Sequence, residues 1–391
     1  MARNILMGKK ELARSHVMEQ VQTGEKTLKE AAVLLHVSYR QAKRIHKRYR
    51  EEGAAGLPHR NQGKTSNNRI EPEIREKALS AYVHRYSDFG PTFAAEKLSE
   101  HEGIFVSEET LRQWLLACGL WQRHRRNNPY RSRRERRSRF GELVQFDGSH
   151  HDWFEGRGEK CCLMNMVDDA QGRSLSMLFE QETTEAAMIV LSCWISKYGI
   201  PEALYCDKKN AFVSNREPSI EEQLAGIQPQ SHFEKACCKL GIQVITAHSP
   251  QAKGRVERNH GVYQDRFVKE LRLAGICTIA EANRFLEDVY LPAINAKFAR
   301  PAACPDDAHV PLGDAELREI MCFEEARVVS RDFTVSYQKR LFQILPDNRP
   351  LPRPKDKVIV KLRLDKTIDL YFRDKKLSVR EINKTIKKEV A

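Results

Sequence analysis

The sequence predicts a multidomain chain: α-helical helix-turn-helix units first, a central α/β core with a mixed sheet, and a small β-barrel last. Three observations carry that prediction. Helical patterns with caps and breakers fill 27–53 and 71–119, strand-like runs alternate with helices from residue 140, and short β-rich runs follow residue 320. At 391 residues there is room for about two to four domains, each with its own core. The expected spans are 1–60 for a helix-turn-helix domain, 68–122 for a second helical domain, 123–139 for an Arg-rich linker, 140–300 for the core and 320–391 for the barrel.

The first domain rests on "TLKEAAVLLHVSYRQAKRIHKRYREEG" (27–53), two helices with a short joint. Thr27 with Glu30, and Ser38 with Gln41, have capping-box spacing. Leu28, Ala31, Ala32 and Leu35 share one face of the first helix, while Ala42, Ile45 and Tyr49 share one of the second. Arg40, Lys43, Arg44, Lys47 and Arg48 fall on a single stripe of that second helix, which suits a DNA major groove. A solvated basic face on a small bundle is the plainer reading of the same stripe.

A polar linker, "GLPHRNQGKTSNN" (56–68), precedes three more helices at 71–86, 90–103 and 107–119. Ser107 should cap the last of these, and a second helix-turn-helix unit is expected there. Only Arg112 on that helix is basic. The next stretch, "RHRRNNPYRSRRERRSR" (123–139), has nine arginines against Glu135 alone. Such density is solvated or bound to phosphate, so Arg123, Arg125, Arg126, Arg131, Arg133 and Arg134 read as a DNA backbone-tracking arm.

From "LVQFDGS" onward the order is three strands, a helix, a strand, a helix, a strand and a long helix. That last helix, "PQAKGRVERNHGVYQDRFVKELRLAG", places Pro250 at its first position behind Ser249. The tail contributes "ARVV", "FTVSY", "RLFQIL", "KVIVKLRL" and "TIDLYF", runs separated by turn-forming and basic residues.

The net charge of +13 is uneven: +13 over residues 1–140, −8 over 141–320 and +8 over 321–391. Basic ends point to a polyanion such as nucleic acid. No apolar run approaches the roughly 20 residues that span a bilayer, and "MARNILMGKKELARSH" lacks the features of a signal peptide. Ten scattered cysteines include no CxxC motif, which fits a reducing cytoplasm. A zinc set of His232, Cys237, Cys238 and His248 matches no common spacing.

Three acids stand where the core brings chain ends together: Asp147 in the first strand, Asp207 ending the fourth, and Glu257 in the long helix. Strands one and four can be neighbours, and a helix packed on them could bring Glu257 alongside. Three carboxylates so placed suit two Mg²⁺ ions (or Mn²⁺) about 4 Å apart, clamping the attacking and leaving oxygens of a phosphoryl displacement. Other readings stay open. Asp152, Asp168 or Asp169 could replace Asp147, with the last two fitting a turn, and Glu257 could pair with Lys253 at i−4. His150 and His151 fit an exposed loop.

The series "FDGS", "YCDKKNAF" and "SPQAKGRVERNHG", after helix-turn-helix units and before a basic β tail, resembles the bacterial insertion-sequence transposases of the DDE class. Those have a ribonuclease H-like core related to retroviral integrases. "SPQAKGRVER" is the strongest part of the likeness, and "NAKFARPAACPDDAHVPL" (295–312) is similar to the segment that follows such cores. The resemblance implies that Asp147, Asp207 and Glu257 are the metal-binding catalytic acids. It implies Mg²⁺-dependent strand cleavage and 3′-hydroxyl transfer at terminal inverted repeats and target DNA, by a homodimer or larger assembly in the bacterial cytoplasm. Lys253, Arg255 and Arg258 then read as phosphate contacts.

Two departures stand out. Between Asp207 and Glu257 lie 49 residues, more than the family's commonest pattern, with "SNREPSIEEQLAGIQPQS" fitting an inserted loop. Gln264 also stands where many relatives carry Lys or Arg. The alternative of another class is a helix-turn-helix regulator with an inactive core.

Overall fold

The computed structural model describes residues 8–59, 69–123, 134–208, 211–214, 216–218, 220–224, 226, 228–246 and 254–382. The chain divides into two compact units, Met1–Arg123 and His124–Ala391. No helix among the described residues is long and apolar enough to cross a membrane.

The first unit opens with α1 (Lys9–Gln22), α2 (Leu28–Leu34) and α3 (Tyr39–Glu52). Thr27 and Glu30 form the expected capping box, and Ser38 Oγ accepts from the Gln41 amide at 3.2 Å. Met18, Ala31, Ile45 and Leu57 make one buried core, with Val17, Leu35 and Tyr49 packed on it. The helix α1 escapes the sequence pattern because its apolar residues do not hold one stripe. A further three helices follow: α4 (Pro72–Arg85), α5 (Pro91–Glu102) and α6 (Glu108–Ala117). Ser107 Oγ accepts from the Thr110 amide at 3.1 Å, as its N-cap position requires. Arg112 is held by Glu109 through paired contacts of 2.7 and 2.6 Å on the same helix.

In the second unit, β1 (Val144–His151), β2 (Cys161–Asp168) and β3 (Ser174–Phe179) precede α7 (Thr184–Tyr198). Next come β4 (Ala203–Cys206), the short α8 (Ile220–Leu224), α9 (His232–Lys239) and β5 (Gln243–Thr246). The long α10 (Gly254–Leu273), α11 (Ile279–Phe285) and α12 (Leu291–Phe298) complete the core, the last two joined by a π-turn at Leu286–Tyr290. The expected helix start at Ser249 and Pro250 lies outside the described residues. The sheet runs β3-β2-β1-β4-β5, with β1/β2 and β2/β3 antiparallel and β1/β4 and β4/β5 parallel.

Period-2 alternation gives that sheet two different faces. Val144, Phe146, Cys162, Met164 and Met166 pack against Leu191, Trp194 and Phe233 of α7 and α9. Leu163 and Leu178 point the other way, into a second core with Tyr263, Phe267 and Leu271 of α10 and Tyr290, Leu291 and Ile294 beyond it. The edge strand β3 is tied to the helices after α10. Asn283 Oδ1 accepts from the Leu178 amide at 2.7 Å while its Nδ2 donates to the Leu178 carbonyl at 2.9 Å. Asn295 treats Ser174 alike, both bonds being 2.8 Å.

The 301–312 segment returns onto the core through His309, whose Nε2 accepts from Trp194 Nε1 at 3.0 Å. Its Nδ1 lies 2.7 Å from Asp307 Oδ1, which assigns the ring proton to Nδ1. Gly141, at φ +83°, makes room: a Cβ there would sit 2.3 Å from the imidazole.

Beyond α13 (Asp314–Ile320) come β6 (Cys322–Val328), β7 (Thr334–Tyr337), β8 (Arg340–Ile344), β9 (Lys357–Arg363), β10 (Ile368–Phe372), β11 (Lys375–Lys376) and β12 (Val379–Ile382). They form two antiparallel sheets, β11-β10-β9-β6 and β12-β8-β7, around a shared core of Val335, Phe342, Val358, Val360 and Leu370. Among the described residues the two sheets do not close into the expected barrel. Strand runs and alternation are visible in a sequence, whereas closure depends on tilt and stagger between strands.

Candidate active site

Gln145, Asp147 and Ser149 alternate along β1 and so share one side of the sheet. Gln145 Oε1 accepts from the Val256 amide of α10 at 3.1 Å, and Ser149 Oγ accepts from Gln264 Nε2 at 3.2 Å. Asp147, midway between them on the same strand, therefore faces α10. Its cross-strand partner Asn165 confirms the face, because Asn165 Nδ2 donates to Asn259 Oδ1 of α10 at 2.8 Å. Helix and strand run alongside each other. Eight residues from Val256 to Gln264 rise about 12 Å, close to the roughly 13 Å that β1 covers from Gln145 to Ser149.

The parallel pairing of β1 with β4 sets Val144 against Leu204 and Gln145 against Tyr205. Continued two residues further, that register brings Asp207 abreast of Asp147. Cys206 is buried in the core on the opposite face, so alternation turns Asp207 to the α10 side as well. Both aspartates are half-buried, and Glu257 is exposed in the first turn of α10, one residue after Val256. Asp207 Oδ1 accepts from the Lys208 amide at 2.9 Å. The three acids thus share one face and one end of the sheet. They do not close to within 4.8 Å of one another, a spacing which among the described residues only His150, Cys162 and Glu182 reach. Like-charged carboxylates repel at short range, which opposes such closure.

The start of α10 is fixed from below. Gln145, wholly buried, also donates from Nε2 to Asp169 Oδ1 at 2.9 Å. Asp169 is wholly buried too, and it accepts from the Arg137 amide at 2.8 Å, pairs with Arg255 at 3.2 Å and is bound by the Arg134 guanidinium. Arg255 Nη2 reaches the Arg134 carbonyl at 3.3 Å. Burial pulls the Arg255 guanidinium below its ordinary pKa, with Asp169 opposing the shift. Asp168 accepts from the amides of Gly141 and Gln171, yet burial lifts its carboxyl to about 6. These two aspartates end β2 inside the protein, and Asp169 organises a buried network.

The other sequence candidates divide. Arg134 and Arg255 are engaged by Asp169, Arg258 is exposed on α10, and Arg123 is exposed at the end of the first unit. Arg125, Arg126, Arg131, Arg133 and Lys253 lie outside the described residues. Arg40, Lys43, Arg44 and Lys47 are exposed along α3, with Arg48 half-buried and Lys43 4.8 Å from the Tyr39 ring centroid. Asp152 accepts from the Gly156 amide at 3.0 Å in a turn. Of the zinc set, His248 lies outside the described residues, and His232, Cys237 and Cys238 do not form a metal-binding group. Sequence reasoning missed Gln145, Asn165 and Asn259. For Gln145 the one local signal is the polar alternation of β1, which ordinarily marks a solvated face.

A family model described as winged helix-turn helix matches residues 14–76. The chain is 40% identical over 339 residues to the protein named as transposase y4bF in Sinorhizobium fredii, covering 86% of this chain and 73% of that one. It is 30% identical over 364 residues to the transposase for insertion sequence IS1202 of Streptococcus pneumoniae, covering 83% and 76%. Among solved structures, a simian T-cell lymphotropic virus intasome chain is 17% identical, with a TM-score of 0.35 and coverage of 72% of this chain and 88% of that one.

Proposed function

Since the chain belongs to the insertion-sequence transposases, we propose that it cuts DNA at its element's terminal inverted repeats and transfers the freed 3′-hydroxyl to target DNA, with Asp147, Asp207 and Glu257 as catalytic acids. The observation that supports this reading best is the parallel β1/β4 pairing, whose register, if carried two residues beyond Gln145 and Tyr205, sets Asp207 level with Asp147 on the side of the helix that carries Glu257. The donor set is all oxygen, which fits hard ions such as Mg²⁺ or Mn²⁺. Bound there, two such ions would polarise the scissile phosphate and stabilise the attacking and leaving oxygens.

The chain's own residues do the remaining work. Asp147 presents its carboxylate from β1, and Asp207 from the residue that directly follows the neighbouring β4. Gln145 holds the first turn of α10 and so sets the position of Glu257. The basic stripe of α3 binds the repeats, and exposed Arg258 lies beside Glu257 to meet phosphates. No serine or tyrosine nucleophile is required, because water and then the 3′-hydroxyl attack phosphorus in line. Joining two ends calls for at least two copies on DNA.

The test is Mg²⁺- or Mn²⁺-dependent cleavage of a terminal-repeat duplex. Asp147→Asn, Asp207→Asn and Glu257→Gln should each abolish cleavage while leaving repeat binding nearly intact. Full activity in Glu257→Gln would overturn the site assignment.

A further inference from the structure

We infer that His150, Cys162 and Glu182 form a binding site for a borderline divalent transition metal such as Zn²⁺, separate from the three acids. One ligand atom from each of these residues lies within 4.8 Å of the other two. His150 and Cys162 are cross-strand partners in the β1/β2 ladder, so the backbone register itself sets their side chains together. Glu182, from the turn before α7, completes the group, with its Oε2 3.4 Å from His150 Nε2. The turn comes close because position 148 is glycine: a Cβ there would sit 2.7 Å from the Glu182 carboxyl carbon.

The spacing fits the chemistry. A tetrahedral zinc ion with bonds of about 2.0–2.3 Å holds its ligand atoms roughly 3.3–3.8 Å apart, and the His150–Glu182 distance already falls in that range. Thiolate and imidazole select Zn²⁺ or Co²⁺ over Mg²⁺, whereas three carboxylates select the hard ion. The two sites face opposite ways. Cys162 packs with Phe146 on the α7 side of the sheet, and Asp147 faces α10. Three protein ligands leave a fourth position open, on the side where His150 is exposed. An ion there would stitch β1, β2 and the turn before α7 together.

Metal-free, reduced full-length protein titrated with Co²⁺ tests this. The expected result is an absorbance with a thiolate-to-cobalt charge-transfer band, removed by adding Zn²⁺. His150→Ala changes an exposed residue, so it should fold normally and lower Co²⁺ affinity by about tenfold or more. Cys162→Ala should lose the band, and Asp147→Asn should keep it. The inference is overturned if wild-type protein shows no thiolate band, if His150→Ala binds Co²⁺ with unchanged affinity and spectrum, or if Asp147→Asn abolishes the band. Because this readout is spectroscopic, it stands or falls independently of DNA cleavage.

Discussion

Replacing Gln145 by Leu tests how the fold holds Glu257. Gln145 is wholly buried and makes two bonds, from the Val256 amide and to Asp169. The amides of a helix's first turn have no partner inside the helix, and here one of them is satisfied by another element. Leucine leaves that amide unpaired, at about 1–3 kcal/mol. It also removes a bond to a carboxylate, ordinarily about 1.5–3 kcal/mol. Asp169 keeps Arg134, Arg255 and the Arg137 amide, which places the second loss at its low end. The combined cost is about 2.5–4.5 kcal/mol, read as a lower urea midpoint for unfolding of the full chain. A first turn released from β1 moves Glu257, and a shift on the order of 1 Å costs about 10²-fold in cleavage rate. Repeat binding, measured by mobility shift, should change little. A Gln145→Leu protein with the wild-type urea midpoint and cleavage rate would refute the reasoning.

Two other outcomes follow from the same structure. Changing both Arg40 and Arg44 on α3 to Ala should weaken repeat binding and reduce the slope of log affinity against log salt by about 2, roughly 0.9 per phosphate contact; an unchanged affinity and slope would rule out the recognition-helix role. His309 is held neutral, burial lowering its pKa from 6.5 despite Asp307. The unfolded chain then takes up a proton before the folded chain does, so stability is full above 6.5 and is lost as pH falls through the folded value. Urea midpoints at about pH 7.5 and 5.5 should differ less in His309→Gln than in wild type, and an equal difference would count against the assignment.

The helices at 27–53 and 71–119 and the strand order of the core were legible because their signals are local: caps, breakers and periodicity. Asp147 and Asp207 could be picked out as acids of the first and fourth strand segments, and the sheet does run β1 beside β4, although Asp147 sits midway along β1 and not at its end. What was not legible depends on distant partners. Arg134 and Arg255 look like phosphate ligands by density alone, yet Asp169, 35 residues from Arg134, engages both. Asp168 and Asp169 have the composition of a turn, and only the folded chain shows them buried. Gln145 sits on a strand whose alternation suggests solvent, because no local rule says that α10 covers its polar side. The closure of the tail's sheets is likewise a relation between strands that neither strand carries by itself.

Asn283 and Asn295, bonded from α11 and α12 to the edge of β3, have a consequence for how copies of the protein can meet. A free sheet edge is a template, since its alternating donors and acceptors invite any extended chain to pair. At Leu178 and Ser174 each side-chain amide supplies the same donor and acceptor that a neighbouring backbone would offer. The edge is thus finished by side chains, and an incoming strand would have to displace both before it could zip on. On this flank the sheet is therefore protected from edge-to-edge pairing with a second copy.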